Sequence, residues 1–162
     1  MNSSENTSPT AMGGLKVLEI SSMVSAPFCG KLMASLGAEV IKIEPPKTGD
    51  PSRRRGPFPG DVPHLERSGM FLYLNTGKQS ITLDLDDHQG REILWELTGK
   101  VDVLIHDLPP SKASELGIGQ ERLAEARPDL IAAAITPFGS TGPYSEYVAN
   151  DVNIFHAGGE GN

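Results

Sequence analysis

The run GLKVLEISSMVSAPFCGKLMASLGAEVIKIEPP, residues 14 to 46, restricts the fold more than any other stretch. It opens on Lys16-Val17-Leu18-Glu19-Ile20, short, apolar and β-leaning, too brief for a helix. Ser21-Ser22 breaks that strand. A helix follows, with Ser25 or Ala26 as its cap and Pro27 in its first turn, where a missing N–H is no loss. Phe28, Leu32 and Leu36 recur every four residues and predict one buried helical face, with Met33 beside them. Gly37 marks the stop, because glycine enters the left-handed conformation cheaply. Val40-Ile41-Lys42-Ile43 predicts a second strand, ended by Pro45-Pro46. Strand, helix and strand within about thirty residues form a βαβ unit, whose strands run parallel. Parallel sheets place ligands at the carboxyl ends of their strands, which directs attention to the loop Ser21 to Ala26.

The same alternation continues downstream. Lys47 to about Gly69 is dense in Gly and Pro and lacks periodicity, so it reads as a long loop. Met70 to Asn75 is a short apolar piece and Thr76-Gly77 a turn. Ser80 to Leu85 alternates polar and apolar, as a half-buried strand does. Asp86 or Asp87 caps a helix through Ile93, Leu94 and Leu97 that ends at Gly99. Val101 to Ile105 is the next strand, followed by a short helix ending at Leu116-Gly117 and another over Gln120 to Ala126. Leu130 to Ile135 is apolar enough for a strand covered on both faces. Asn150 caps a last helix reaching Ala157. Strands alternating with helices predict an α/β fold, a Rossmann-like three-layer sandwich with a mostly parallel sheet. The domain is expected over 14–162, behind a flexible tail at 1–13 with little to bury.

Composition narrows the function. A net charge of -7 argues against nucleic acid or an anionic membrane as the main partner. Cys29 is the only cysteine, so no intrachain disulfide forms, which suits the cytoplasm. No apolar run approaches the ~18 residues of a membrane-spanning helix. No pair among the 4 histidines has helix spacing for zinc, and one cysteine makes no thiolate cluster, so no metal is expected. The first loop lacks G-x-G-x-x-G, which weakens a dinucleotide reading, and its serines lack the G-x-S-x-G elbow of a hydrolase. Arg53-Arg54-Arg55 is the only concentrated positive charge. It suits bidentate contact with a phosphate, or pairing with nearby Asp50 and Asp61. Asp151 reads as part of a helix start, where the dipole keeps it ionised, not as a catalytic acid. Cys29 reads as a small packed residue.

The pieces G-L-K-V-L-E, A-P-F-C, L-G-A-E-V-I-K-I-E-P-P and G-D-P-S-R-R-R-G-P resemble the start of the class III CoA-transferases. That family includes formyl-CoA and carnitine CoA-transferases and is related to the α-methylacyl-CoA racemases. The resemblance runs on through F-L-Y-L-N-T-G-K-Q-S-I-T-L-D-L, V-D-V-L-I, L-I-A-A-A-I-T-P-F-G and T-G-P-Y, covering nearly everything from Gly13 to Gly159. It implies coenzyme A as the bound substrate, an acyl-CoA and a carboxylic acid as partners, and a homodimer in the full-length protein. By this resemblance Val24 and Ser25 touch the CoA nucleotide or its pantetheine arm. Leu83, Asp84 and Leu85 lie along the CoA, and Asp107 and Leu108 occupy the place of an Asn-Phe pair that contacts it. Arg53 completes the candidate set as a phosphate contact.

The resemblance also implies an aspartate nucleophile well past Asp151, beyond Asn162, so no catalytic residue is assigned within the chain. The sequence departs from the family in informative places. Asp86 and Asp87 stand where a lysine often follows, and Glu115 where an arginine often precedes Leu-Gly. Both changes remove positive charge where a phosphate would need it. Asn150 replaces the histidine of the racemases, and an amide cannot shuttle a proton at neutral pH. The sequence therefore predicts the N-terminal, CoA-binding portion of a longer class III CoA-transferase, inactive alone. The alternatives are a non-catalytic CoA-binding or dimerisation module, or a racemase fragment.

Overall fold

The opening crossover forms as its sequence predicts. In a computed structural model, which describes residues 10–161, β1 (Lys16–Ile20) and β2 (Glu39–Glu44) pair in parallel through α1 (Ser25–Ser35). Val17 lies opposite Val40, and Glu19 opposite Lys42. β3 (Gln79–Thr82), β4 (Val103–His106) and β5 (Ile131–Ala134) complete a 5-stranded sheet ordered β3-β2-β1-β4-β5. Every pairing is parallel. The winding runs outward from β1 to β3 and then returns to lay β4 beside β1. That reversal makes the gap between β1 and β4 the topological switch point.

Strand alternation sends neighbouring side chains to opposite faces and so builds two cores. Val17, Val40, Val103 and Ile105 face α1, joined by Ala26 and Met33. Leu18, Ile20, Ile43 and Leu104 face α3 (His88–Thr98), α4 (Pro110–Glu115) and α5 (Gln120–Ala126), where Leu94, Ala113 and Leu123 meet them. The apolar piece after the long loop is a short helix, α2 (Gly69–Leu74), capped by Ser68, whose hydroxyl accepts from the Phe71 N–H. Asp87 caps α3 by accepting from Gln89 N–H at 3.1 Å, and Asn150 caps α6 (Asp151–Ala157) in a capping box with Asn153. Gly37, at φ +100, follows the end of α1. The long loop is not featureless: 3-10 turns at Pro51–Arg54 and Pro59–Asp61 divide it.

Three expectations are corrected. α1 is capped by Val24 without a side-chain hydrogen bond, not by Ser25 or Ala26. Its large apolar residues point outward, with Phe28, Leu32 and Leu36 all exposed. The buried stripe is Ala26, Pro27 and Gly30, because the sheet face beneath carries the fully buried Glu19 carboxylate. A four-residue repeat defines a stripe, and two competing stripes existed here; close approach to a charged strand chose the small one. Finally β5, expected to be covered on both faces, is the sheet edge, and its Ile131 is 64% exposed. Residues 1–9 of the expected tail lie outside the described residues. Beyond them Met12 packs on the α1-side core, and its N–H donates to the Leu36 carbonyl at 2.9 Å.

Gly30 supplies a direct test of the packing. A Cβ there would collide with Glu19 Oε2, which is held in place by lysines. Gly30→Ala is expected to lower stability by about 2 kcal/mol despite alanine's better helix propensity. Urea unfolding should show a lower midpoint at an unchanged slope.

Candidate functional site

At the switch point, the loop leaving β1 meets the loop leaving β4. Consecutive residues of the first loop are each held by a side chain from elsewhere. The Ser21 carbonyl accepts from Lys42 Nζ at 2.8 Å. Ser22 donates to Asp107 Oδ2 through its N–H at 2.7 Å and its hydroxyl at 3.3 Å. The Met23 N–H donates to Asp50 Oδ1 at 3.2 Å, with Met23 at φ +60. Val24 and Ser25 then emerge exposed at the start of α1. Ser22 thus ties the loop that carries Val24 and Ser25 to Asp107 at the carboxyl ends of β1 and β4, the place of a switch-point crevice. Leu108 follows Asp107, half-buried. Leu83 and Leu85 trail β3 and pack on the α3-side core, with Asp84 exposed between them.

Beneath this loop lies a buried network of charges that the sequence reading did not single out. Lys42 Nζ sits 3.0 Å from Glu19 Oε1 and 2.9 Å from Asp50 Oδ2. Lys78 Nζ reaches the other Glu19 oxygen at 2.7 Å and the Pro27 carbonyl at 2.8 Å. Burial pushes the Lys78 ammonium pKa down, although Glu19 opposes it. Burial alone would raise the Asp50 carboxyl, but Lys42 and Ser52 more than offset it and hold it below its ordinary value. A signal existed in the sequence. Glu19 and Lys42 interrupt apolar strands, and the parallel register makes them neighbours.

Arg53 belongs to the same network. Its Nε and Nη2 donate to both Glu44 oxygens at 2.7 and 2.8 Å, and its Nη1 to Glu66 at 3.0 Å. The guanidinium also lies 3.6 Å from the Phe71 ring centroid. Bonding to Glu44 raises the Arg53 pKa further. Burial would lift Glu44, yet Arg53, Ser80 and the Asp50 N–H together bring it down to about 2. Arg53 therefore anchors the long loop to β2.

Asp107 behaves oppositely. Burial pushes its carboxyl up, and the Ser22 bonds only partly restrain it. At the rim two of the acidic departures, Asp86 and Glu115, are paired. Lys112 Nζ lies 2.9 Å from Asp86 and 3.2 Å from Glu115, and Arg91 lies 3.4 Å from Glu115. The charge lost at those positions is compensated locally by residues that sequence spacing does not connect. One strand over, a cavity of about 550 Å³ opens beside His106, Leu108, Ser114, Ala134 and Ser140. Burial lowers the His106 pKa, keeping that imidazole neutral. Of the sequence candidates only Leu108 lines it.

Residues 12–160 match the family described as CoA-transferase family III. The chain belongs to that family. Acetyl-CoA:oxalate CoA-transferase of Acetobacter aceti is 41% identical over 141 residues, covering 87% of this chain and 35% of that protein. Human succinyl-CoA:glutarate CoA-transferase is 37% identical, covering 85% of this chain and 31% of its own length. A CAIB/BAIF family protein from Brucella suis superposes with a TM-score of 0.82 at 35% identity, over 94% of this chain and 40% of that one. This member of CoA-transferase family III thus spans about a third of the length of the curated relatives it matches. Among its described residues no helix is long and apolar enough to cross a membrane. Nor does any group of His, Cys, Asp and Glu among them suit a metal ion.

Proposed function

We propose that this chain is the CoA-binding portion of a cytoplasmic class III CoA-transferase that moves CoA between an acyl-CoA and a carboxylic acid. The observation that carries the reading is the switch point itself, where the loops leaving β1 and β4 meet through Ser22 and Asp107, in a chain of this family. CoA would lie across the carboxyl edge of the sheet. Val24 and Ser25 would meet it at the α1 start, Leu83, Asp84 and Leu85 after β3, and Asp107 and Leu108 after β4. Arg53, bound to Glu44 and Glu66, supports the site through the loop it anchors. Lys112 and Arg91 neutralise Asp86 and Glu115 at the rim, which limits the repulsion an anionic ligand would meet from those two carboxylates.

The reaction needs a carboxylate nucleophile, which we place in polypeptide outside this chain. An aspartate attacks the thioester carbonyl, expelling CoA thiolate and forming a mixed anhydride. The thiolate then attacks the aspartyl carbonyl, releasing the donor acid and leaving an aspartyl-CoA thioester. The acceptor carboxylate attacks that thioester, expelling CoA thiolate and forming a second mixed anhydride; the thiolate then attacks the acceptor carbonyl, forming the new acyl-CoA and releasing the aspartate. Covalent catalysis divides one difficult acyl transfer into easier steps. The full-length enzyme would act as a homodimer.

Calorimetric titration of this chain with CoA tests the binding claim, with a Kd well below about 1 mM expected. Silence at saturating CoA would remove the nucleotide role and leave a non-catalytic module. An acyl-CoA transfer assay on the same chain is expected to show no turnover. Asp107→Asn offers a sharper prediction. The amide oxygen still accepts from Ser22, while a buried negative charge beside an anionic ligand is removed. CoA affinity is expected to rise about fivefold, roughly 1 kcal/mol.

A further inference from the structure

We propose that the buried pair Asp50–Lys42 is the positioning device of the β1–α1 loop, with Asp50 acting on the ligand crevice through Met23. The inference rests on reading that crevice as the CoA site. Its starting point is the backbone of Met23, a non-glycine residue at φ +60. That conformation is sparsely populated and persists only where surrounding contacts impose it. The contacts are visible. Asp50 Oδ1 accepts the Met23 N–H at 3.2 Å and the Ser52 N–H at 2.8 Å. Asp50 Oδ2 holds Lys42 Nζ at 2.9 Å, and the same ammonium donates to the Ser21 carbonyl at 2.8 Å.

One ion pair therefore grips the loop on both sides of Ser22, at the carbonyl before it and the amide after it. Both charged groups are about 1% exposed, so neither meets a ligand itself. Lys42 is rigid in the sheet. Asp50 is fixed in turn, since its own N–H donates to Glu44 Oε2 at 2.8 Å, the oxygen that also takes Arg53 Nε. The long loop after β2 thereby reaches the crevice without lining it. Without Asp50, Met23 is free to relax into the right-handed region, which turns Val24 and Ser25 away from the β4 loop.

The test uses the 15N-labelled chain carrying Asp50→Ala, with Asp50→Asn as the milder change should alanine not fold. Amide exchange at Met23 is compared with that at Leu18, a fully buried β1 residue that reports global opening. The expected result is exchange at Met23 faster by about tenfold relative to Leu18, and CoA affinity weaker by about tenfold. Adding Met23→Gly, which adopts positive φ without strain, should recover at least part of the affinity while leaving the thermal midpoint low. A residue that served overall stability alone would accelerate Met23 and Leu18 together and would gain nothing from the glycine. An unchanged ratio of the two exchange rates overturns the inference, as does unchanged CoA affinity in a chain whose wild type binds. If the exchange ratio moves as expected but the wild type binds no CoA, the positioning role stands and the CoA reading falls.

Discussion

Lys42→Met is expected to destabilise the chain by about 4 kcal/mol. Methionine keeps the apolar length of the lysine stem, so the change isolates the ammonium. That ammonium is about 1% exposed and bonds Glu19, Asp50 and the Ser21 carbonyl. Glu19 would keep Lys78 at 2.7 Å, but Asp50 would lose its only charged partner among the described residues. A buried carboxylate left without its cation costs more than the pair itself gains, because desolvation is no longer offset by attraction. Folded domains hold only about 5–15 kcal/mol in total, so such a loss brings a domain close to unfolding at ordinary temperature. Urea unfolding measures it directly. A midpoint within error of the wild type would mean that Lys42 is a passive occupant of the core. A lowered slope would instead report a change in compactness.

The network also shows what could and could not be read before the fold was known. The strands and their parallel order were legible because β1 and β2 are short apolar runs separated by a helix-length segment with clear stops. Asp87, Gly37 and Asn150 act where capping chemistry places them. The face of α1 was not legible from periodicity, since Phe28-Leu32-Leu36 and Ala26-Gly30-Met33 both fit a helical stripe. Only the carboxylate of Glu19 beneath Gly30 discriminates between them. Pairings at long sequence separation were also hidden. Asp86 looked like a loss of positive charge until Lys112, 26 positions away, was seen to neutralise it. Arg53 had two roles open to it in the sequence, phosphate contact or pairing with nearby Asp50 and Asp61. Its neighbours in space are Glu44, Glu66 and Phe71, and they define an anchor. Local chemistry identified the crevice loop; only tertiary contacts revealed what holds its shape.

That anchor predicts acid sensitivity with a defined window. Glu44 has an ordinary value of 4.5 and stands at about 2 in the fold. Its stabilising contribution is therefore complete above about pH 4.5 and is lost as pH falls toward 2, since the unfolded chain takes up the proton first. At about 1.4 kcal/mol per pH unit, the difference corresponds to roughly 3 kcal/mol. Asp50, also held low, loses stability in the same direction. Asp107 works against them: its raised value means that the fold binds a proton more readily than the unfolded chain, so acidification relieves it. Urea midpoints measured from pH 7 down to 3 should fall most steeply below 4.5. Glu44→Gln should cost about 3 kcal/mol at pH 7, because Arg53 and the Asp50 N–H lose a carboxylate, and should flatten the curve below that point. A variant that kept the wild-type acid slope would assign the sensitivity to other carboxylates, and would leave Arg53 holding the loop by stacking on Phe71 and by Glu66 rather than by Glu44.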